Sequence, residues 1–242
     1  MATSGGPTDA ELFSFEDVVV ERGGRRVLRI DRAALLHVGS TGIVGPSGSG
    51  KSTLLRLCNR LEAPTAGIVR YLGADVATLD PLALRKRVAM VFQQPVALEG
   101  TVGDNLREAE PALDGPGVAS ALARVGLPDD LGGRPADELS GGERQRLALA
   151  RSLLTQPDVI LLDEVTSALD PANAIRIEGL VAGLVDQGLH AVWVTHDLDQ
   201  LRRVASRAVV VIDGRIALTG PADEVLATDD PEVRAFLDGA GS

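Results

Sequence analysis

Short apolar runs alternate with longer amphipathic stretches over most of this chain. Residues 18–21, 42–44, 88–92, 159–162, 191–194 and 209–212 are rich in β-branched side chains and apolar at consecutive positions. That pattern predicts strands buried on both faces, as in a parallel sheet. Amphipathic runs at 51–61, 143–154, 172–187 and 198–205 predict helices beside several of them. Strand, helix, strand order implies an α/β core with right-handed crossovers. Residues 13–38 and 67–78 instead carry short strand-like runs broken at Gly23-Gly24 and Gly73, which predicts an N-terminal antiparallel β subdomain. Pro95, Pro111, Gly115-Pro116-Gly117, Pro128 and Gly132-Gly133 then cut the pattern into short helical pieces. A small helical subdomain over about 95–150 is therefore expected as an insert in the core. The fold class expected is α/β with a mainly parallel sheet. Residues 1–11 read as a disordered leader and 239–242 as a tail, leaving 12–238 as one domain.

Composition narrows the function classes. The 242 residues are 45% hydrophobic and 24% charged, enough to bury a core without disulfide or metal staples. Twenty-four Lys and Arg against 34 Asp and Glu leave a net charge of −10, which argues against a nucleic-acid partner. Aromatics at 2% supply few rings for stacking on bases or sugars. Cys58 stands alone, so neither an internal disulfide nor a cysteine-based zinc site is expected, and a reducing compartment suits it. No apolar run approaches the ~18–20 residues of a membrane span, and residues 1–9 lack the basic and apolar regions of a signal peptide.

The first motif with chemistry is Gly45-Pro46-Ser47-Gly48-Ser49-Gly50-Lys51-Ser52-Thr53, which satisfies G-x-x-x-x-G-K-[ST] between a predicted strand and a predicted helix. Glycines let backbone wrap a phosphate, and the amides at the helix start donate to its oxygens. Lys51 is suited to the β and γ phosphates, and the Ser52 hydroxyl to Mg²⁺. Lys51 and Lys86 are the only lysines in a chain that otherwise uses arginine, so a compact point charge is wanted at 51. The ligand expected is a nucleoside triphosphate.

Residues 159–162 run into Asp163 and Glu164. Strand C-terminal ends face the ligand crevice in a parallel sheet, which makes Asp163 a candidate Mg²⁺ ligand and Glu164 a candidate base for an attacking water. Leu139-Ser140-Gly141-Gly142-Glu143 opens another predicted helix. Ser140 and the amides of Gly141 and Gly142 form a second candidate anion site there. One nucleotide in one chain has no use for two such cradles.

With these motifs in this order, the chain resembles the ATP-binding-cassette (ABC) family, the nucleotide-binding subunits of ABC transporters, over about residues 13–237. The LSGGE run at 139–143 resembles the family's signature motif. Asp163-Glu164 with Ser167-Ala168-Leu169-Asp170 resembles its Walker B strand and D-loop. Gln93 matches the Q-loop glutamine, and His196, in Thr195-His196-Asp197, the switch histidine. The resemblance implies a P-loop NTPase core with ATP and Mg²⁺ as ligands. It puts Ser52, Gln93 and Asp163 at the metal, gives catalytic roles to Glu164, Gln93 and His196, and adds Asp170 to the nucleotide site. It also implies a head-to-tail homodimer formed on ATP, with Lys51 of one copy and residues 140–142 of the other on each γ-phosphate. A separate transmembrane permease would dock near the helical insert, and the subunit would lie peripherally on the cytoplasmic side of the cell membrane.

Some residues depart from the family pattern. An aromatic ring usually stacks on adenine near the start of the fold, whereas Glu21-Arg22-Gly23-Gly24 stands there. Arg22 is the candidate base contact, with Phe13 or Phe15 as alternatives. Val165 occupies a position where the family commonly has Pro. Residues 57–61 (Leu-Cys-Asn-Arg-Leu) and 162–167 look most like subunits serving inorganic ions such as phosphate or metal, with polar amino acids as the runner-up. A soluble, non-transport cassette ATPase of the cofactor-assembly type is the alternative function. An inactive scaffold is disfavoured by the intact Lys51, Asp163, Glu164 and His196.

Overall fold

Alternation of buried and exposed positions, rather than continuous apolarity, builds the first elements. The computed structural model describes residues 11–37 and 39–240. In chain order these form β1 (Glu11–Arg22), β2 (Arg25–Leu36), β3 (Ser40–Val44), α1 (Lys51–Cys58), β4 (Ala66–Tyr71), β5 (Ala74–Asp75), α2 (Pro81–Arg87), β6 (Val88–Val91), α3 (Val102–Arg107), α4 (Gly115–Arg124), α5 (Gly141–Leu154), β7 (Val159–Asp163), α6 (Pro171–Val185), β8 (His190–Val194), α7 (Leu198–Val204), β9 (Arg207–Ile212), β10 (Arg215–Pro221), α8 (Ala222–Leu226) and α9 (Pro231–Ala240). Glu11 is thus the first residue of β1 rather than the last of a leader, and Gly239 and Ala240 belong to α9 rather than to a tail. The rest of the expected leader and tail lies outside the described residues. The chain divides into two compact units, Met1–Arg85 with His190–Ser242, and Lys86–Leu189.

In the first unit, β1 and β2 form an antiparallel hairpin of two 12-residue strands. It turns at Gly23 and Gly24, which both have positive φ, as a tight turn compatible with strand twist requires. Residues 18–21, expected in a buried parallel strand, are the second half of this antiparallel β1. Its partner β2 exposes Arg25, Arg26, Arg29 and Arg32 while burying Leu28 and Ile30. β4 pairs with the other edge of β1, and Phe13 meets Tyr71 across that pairing with ring centroids 5.1 Å apart. In a second sheet of this unit, β3 lies parallel to both β8 and β9, and β10 closes on β9 antiparallel. Every residue of β3 is buried, the polar Ser40 and Thr41 as well as the predicted run at 42–44. Val44, Leu201, Val210, Val233 and Leu237 fill the core between this sheet and its helices. β10 is only partly buried, which explains why no apolar run announces it.

The second unit holds the parallel pair β6 and β7 and the helices α3 to α6. Its helices start at well-formed caps: Thr101, Asp114, Ser140 and Asp170 each accept an amide of the following first turn, worth about 1 kcal/mol apiece. Gly179 and Gly183 lie inside α6, and among the described residues nothing beyond the helix's own nearby backbone and the chain neighbours comes within 4 Å of where a Cβ would stand. Replacing both with Ala should raise stability by about 1–2 kcal/mol through helix propensity and a stiffer unfolded chain. Calorimetry should then register a rise of about 2–8 °C in Tm; a fall would mean that the α6 glycines serve a close approach. Among the described residues, no helix is long and apolar enough to cross a membrane.

Candidate functional site

In the first unit, β3 delivers the chain into the glycine loop and α1 carries it away. Gly45 has φ 153, and a Cβ there would come within 2.0 Å of the Val211 carbonyl oxygen, so no side chain fits. Gly50 occupies the left-handed region at φ 104 and caps α1 with no side-chain acceptor. The first amides of α1 are thereby left to the loop concavity, where an anion suits both their N–H groups and the helix dipole. The Ser49 Oγ is buried without a hydrogen-bond partner among the described residues, a polar group that an oxyanion would satisfy. Lys51 is 5% exposed, and its ammonium donates to the carbonyls of Gly45 at 2.9 Å and Pro46 at 2.8 Å. Thr53 is buried beside it in sequence, and Ser52 is half-buried. The residues present fit a triphosphate.

His196 follows β8 and is exposed. Because β3 and β8 are parallel neighbours with Ile43 beside Val194, the histidine leaves the sheet at the same edge as the glycine loop. Asp197 then caps α7 by accepting from the amides of Asp199 and Gln200. Arg22, at the end of β1, is ion-paired with Glu62 and half exposed. Phe13 and Phe15 are fully buried in the antiparallel sheet, which removes them as contacts for a nucleotide base. Cys58 is also fully buried, and desolvation pushes its thiol far above the ordinary cysteine range, so it is inert packing.

In the second unit, β6 and β7 run parallel with Val91 beside Leu162, so Gln93 and Asp163-Glu164 emerge at one edge. The Gln93 amide donates to the Glu164 carboxylate at 3.3 Å and to the Ser167 Oγ at 3.1 Å. The Ser167 hydroxyl in turn donates to the Glu164 carbonyl at 2.9 Å. Glu164 has φ 48, a left-handed conformation that costs a non-glycine residue about 1–2 kcal/mol. The backbone N–H of Ser167 also bonds that carbonyl, at 3.1 Å, and helps to hold the turn. Asp163 is buried at the end of β7. Val165, in the position expected for Pro, is 3% exposed and serves as a core side chain. The sequence marked Ser167 only as part of a motif. Its link to Gln93 joins positions 74 residues apart, and no local pattern announces it.

Ser140 caps α5 in a reciprocal box: its Oγ accepts from the Glu143 amide at 3.3 Å, while its own N–H and O–H donate to the Glu143 carboxylate at 2.8 and 2.7 Å. Those two donors hold the Glu143 carboxyl below the usual carboxylate range. Gly142 is buried and Gly141 exposed. Asp170 caps α6, and the side-chain and backbone N–H groups of Asn173 likewise pull its carboxyl below the usual range. No group of three or more His, Cys, Asp or Glu side chains that could hold a metal ion occurs among the described residues.

Comparison with known proteins decides the family. A model described as "ABC transporter" matches residues 36–167, more than half of the chain. The chain belongs to the ABC transporter family. As an ABC nucleotide-binding subunit it is an ATP-binding ATPase. It is 43% identical to Protein STAR1 of Oryza sativa subsp. japonica over 203 residues, 81% of this chain and 58% of that protein. Against a methionine import ATP-binding protein MetN of Caulobacter vibrioides, identity is 46% over 88% of this chain and 68% of the relative. Against the phosphate import ATP-binding protein PstB 2 of Natronomonas pharaonis it is 38%, covering 96% and 92%. Among solved structures, cbiO1 of Clostridium perfringens, described as part of the ABC transporter complex cbiONQ, superposes with a TM-score of 0.79 at 26% identity over 96% of this chain and 98% of that one. The mixed α/β architecture, with its antiparallel N-terminal sheet and largely parallel second sheet, is that of this ABC ATPase.

Proposed function

We propose that this chain hydrolyses Mg²⁺-bound ATP to power movement of a solute through a separate membrane subunit. The observation that carries the chemistry is Glu164, turned out of the end of β7 with its carboxylate on the Gln93 amide. Lys51, the loop amides and the Ser49 hydroxyl bind the phosphates; Ser52 and Asp163 are the protein ligands suited to Mg²⁺. The metal, when bound, offsets charge on the β and γ phosphates. Glu164 accepts a proton as water oxygen bonds to the γ-phosphorus and the bond to the bridging oxygen breaks, giving ADP and phosphate. Gln93 orients that water, and His196 donates to the γ-phosphate. Arg22, steadied by Glu62, lays its guanidinium plane on adenine.

The second cradle, at residues 140–142, together with Asp170, serves the nucleotide of a second copy, so that two chains close head to tail on two ATP molecules. Hydrolysis removes ligand contacts shared by the two copies and shifts the population toward separation. Docking of a permease helix is supported by an apolar surface in the second unit: Phe92, Val96 and Leu98 are 43%, 68% and 40% exposed. They adjoin in sequence an open cleft of about 490 Å³ lined by Gln93, Gln94, Pro95, Ala97, Asp137 and Arg144, among others. Such a contact sets the subunit peripherally at the cytoplasmic face of the membrane. An inorganic ion is the cargo favoured by residues 57–61 and by likeness to the phosphate-import relative, while the 46% identity to a methionine-import relative favours an amino acid as the second reading.

Purification from detergent-solubilised membranes tests the assignment. A multi-span protein should co-elute with the wild-type chain, and a Val96→Asp, Leu98→Asp variant should lose it while keeping ATP affinity. Recovery of the chain in a wholly soluble complex would contradict the transport role.

A further inference from the structure

The guanidinium of Arg146 on α5 is an anomaly of charge. The residue is 5% exposed, and buried arginines ordinarily meet a carboxylate directly. Among the described residues the guanidinium makes one hydrogen bond, from Nη1 to the Asn173 Oδ1 at 2.9 Å, and its Nε finds no hydrogen-bond partner. Burial, and after it the nearby Arg176, disfavour its charged form. The neutral amide of Asn173 passes the charge on: its Nδ2 donates to the Asp170 Oδ2 at 2.6 Å, and its backbone N–H donates to the Asp170 Oδ1 at 3.0 Å. Both oxygens of Asp170 are thereby pinned by one residue. An amide whose oxygen accepts from a guanidinium is polarised into a better donor. Asn173 also lies against the start of α5, since a Cβ on Gly142 would stand 3.0 Å from its Cγ. One side chain thus fills the space where a Gly142 side chain would stand and bonds the Asp170 carboxylate and the buried cation.

From this we infer that Asn173 is a positioning residue that locks the turn at 140–142 and the Asp170 carboxylate into one fixed spacing, so that both meet the partner copy's nucleotide as a single rigid surface. The inference rests on the proposed head-to-tail dimer, in which those two elements face the partner. Arg146 is the buried anchor of this lock. A stability role alone would be served as well by a direct ion pair or an apolar pair.

The test measures Mg²⁺-ATP-dependent dimerisation by sedimentation in a Glu164→Gln background, alongside ATP affinity and thermal midpoint. Asn173→Asp keeps the acceptor for Arg146, now as an ion pair, but loses the amide donor to Asp170. The double variant Arg146→Met, Asn173→Leu removes cation and donor together without adding charge. Both should keep the thermal midpoint and ATP affinity of the parent while the dimer dissociation constant rises at least about tenfold, close to 1.4 kcal/mol. Dimerisation equal to the parent in either variant overturns the positioning role while leaving the dimer intact. A loss of dimerisation that tracks a lowered midpoint in both variants also overturns it, leaving Asn173 a structural residue. Failure of the Glu164→Gln parent itself to dimerise on ATP overturns the head-to-tail reading, and the inference with it.

Discussion

Replacing Glu164 with Gln should slow phosphate release at least ~100-fold, the scale of a lost general base, while leaving ATP affinity within about twofold of wild type. The amide preserves the size of the side chain and its hydrogen bond with Gln93, so the turn held by Ser167 survives. What it lacks is a basic oxygen for the proton of the attacking water. Single-turnover phosphate release and nucleotide titration separate the two effects. Wild-type turnover in this variant would remove Glu164 from the reaction, and loss of ATP affinity would recast it as a binding residue.

Lys51→Met should act on binding instead. The ammonium sits 5% exposed, donating to the carbonyls of Gly45 and Pro46, and charge-assisted hydrogen bonds of this kind are worth about 1.5–3 kcal/mol each. ATP affinity should therefore fall ~10–100-fold, with turnover falling further because charge develops on the departing β–γ bridging oxygen, beside the ammonium, in the transition state. Lys51→Arg should not restore it, since a planar guanidinium cannot occupy the place of a compact ammonium between the Gly45 and Pro46 carbonyls. Restoration by arginine would mean that the position needs only positive charge.

The parts of the fold that could be read from the sequence are those where backbone demands are severe. β3, β6, β7, β8 and β9 are short strands rich in fully buried residues, so their apolar runs are nearly continuous. The Gly45 to Thr53 loop is legible because a Cβ at Gly45 would strike the Val211 carbonyl, and positive φ recurs at Gly48 and Gly50. The β1–β2 hairpin is longer than its apolar segments suggest because arginines alternate with buried Leu28 and Ile30. β10 carries no continuous apolar run because no stretch of it is deeply buried. The α1 helix stops at Cys58, three residues early, where Asn59 closes it and Arg60 takes a positive φ.

At the candidate site, residue types with few alternative uses were legible and their tertiary partners were not. Gln93, Asp163, Glu164 and His196 stand at strand ends, where a periodicity argument can find them. The bonds from Gln93 to Ser167 and from Arg146 to Asn173 join positions 74 and 27 residues apart. Ser and Asn are common enough in turns and helix caps that neither carries a warning in the sequence. Phe13 and Phe15 illustrate the converse: an aromatic near the start of the fold is as useful to a core as to a base, and here the core has both.

The central claim is that ATP joins two copies of this chain and that its hydrolysis releases them. The sedimentation mass of Glu164→Gln tests it most directly. With saturating Mg²⁺-ATP the 25.2 kDa chain should run at twice its own mass, and with ADP at its own mass. A species that remains at 25.2 kDa while ATP is demonstrably bound would contradict the account.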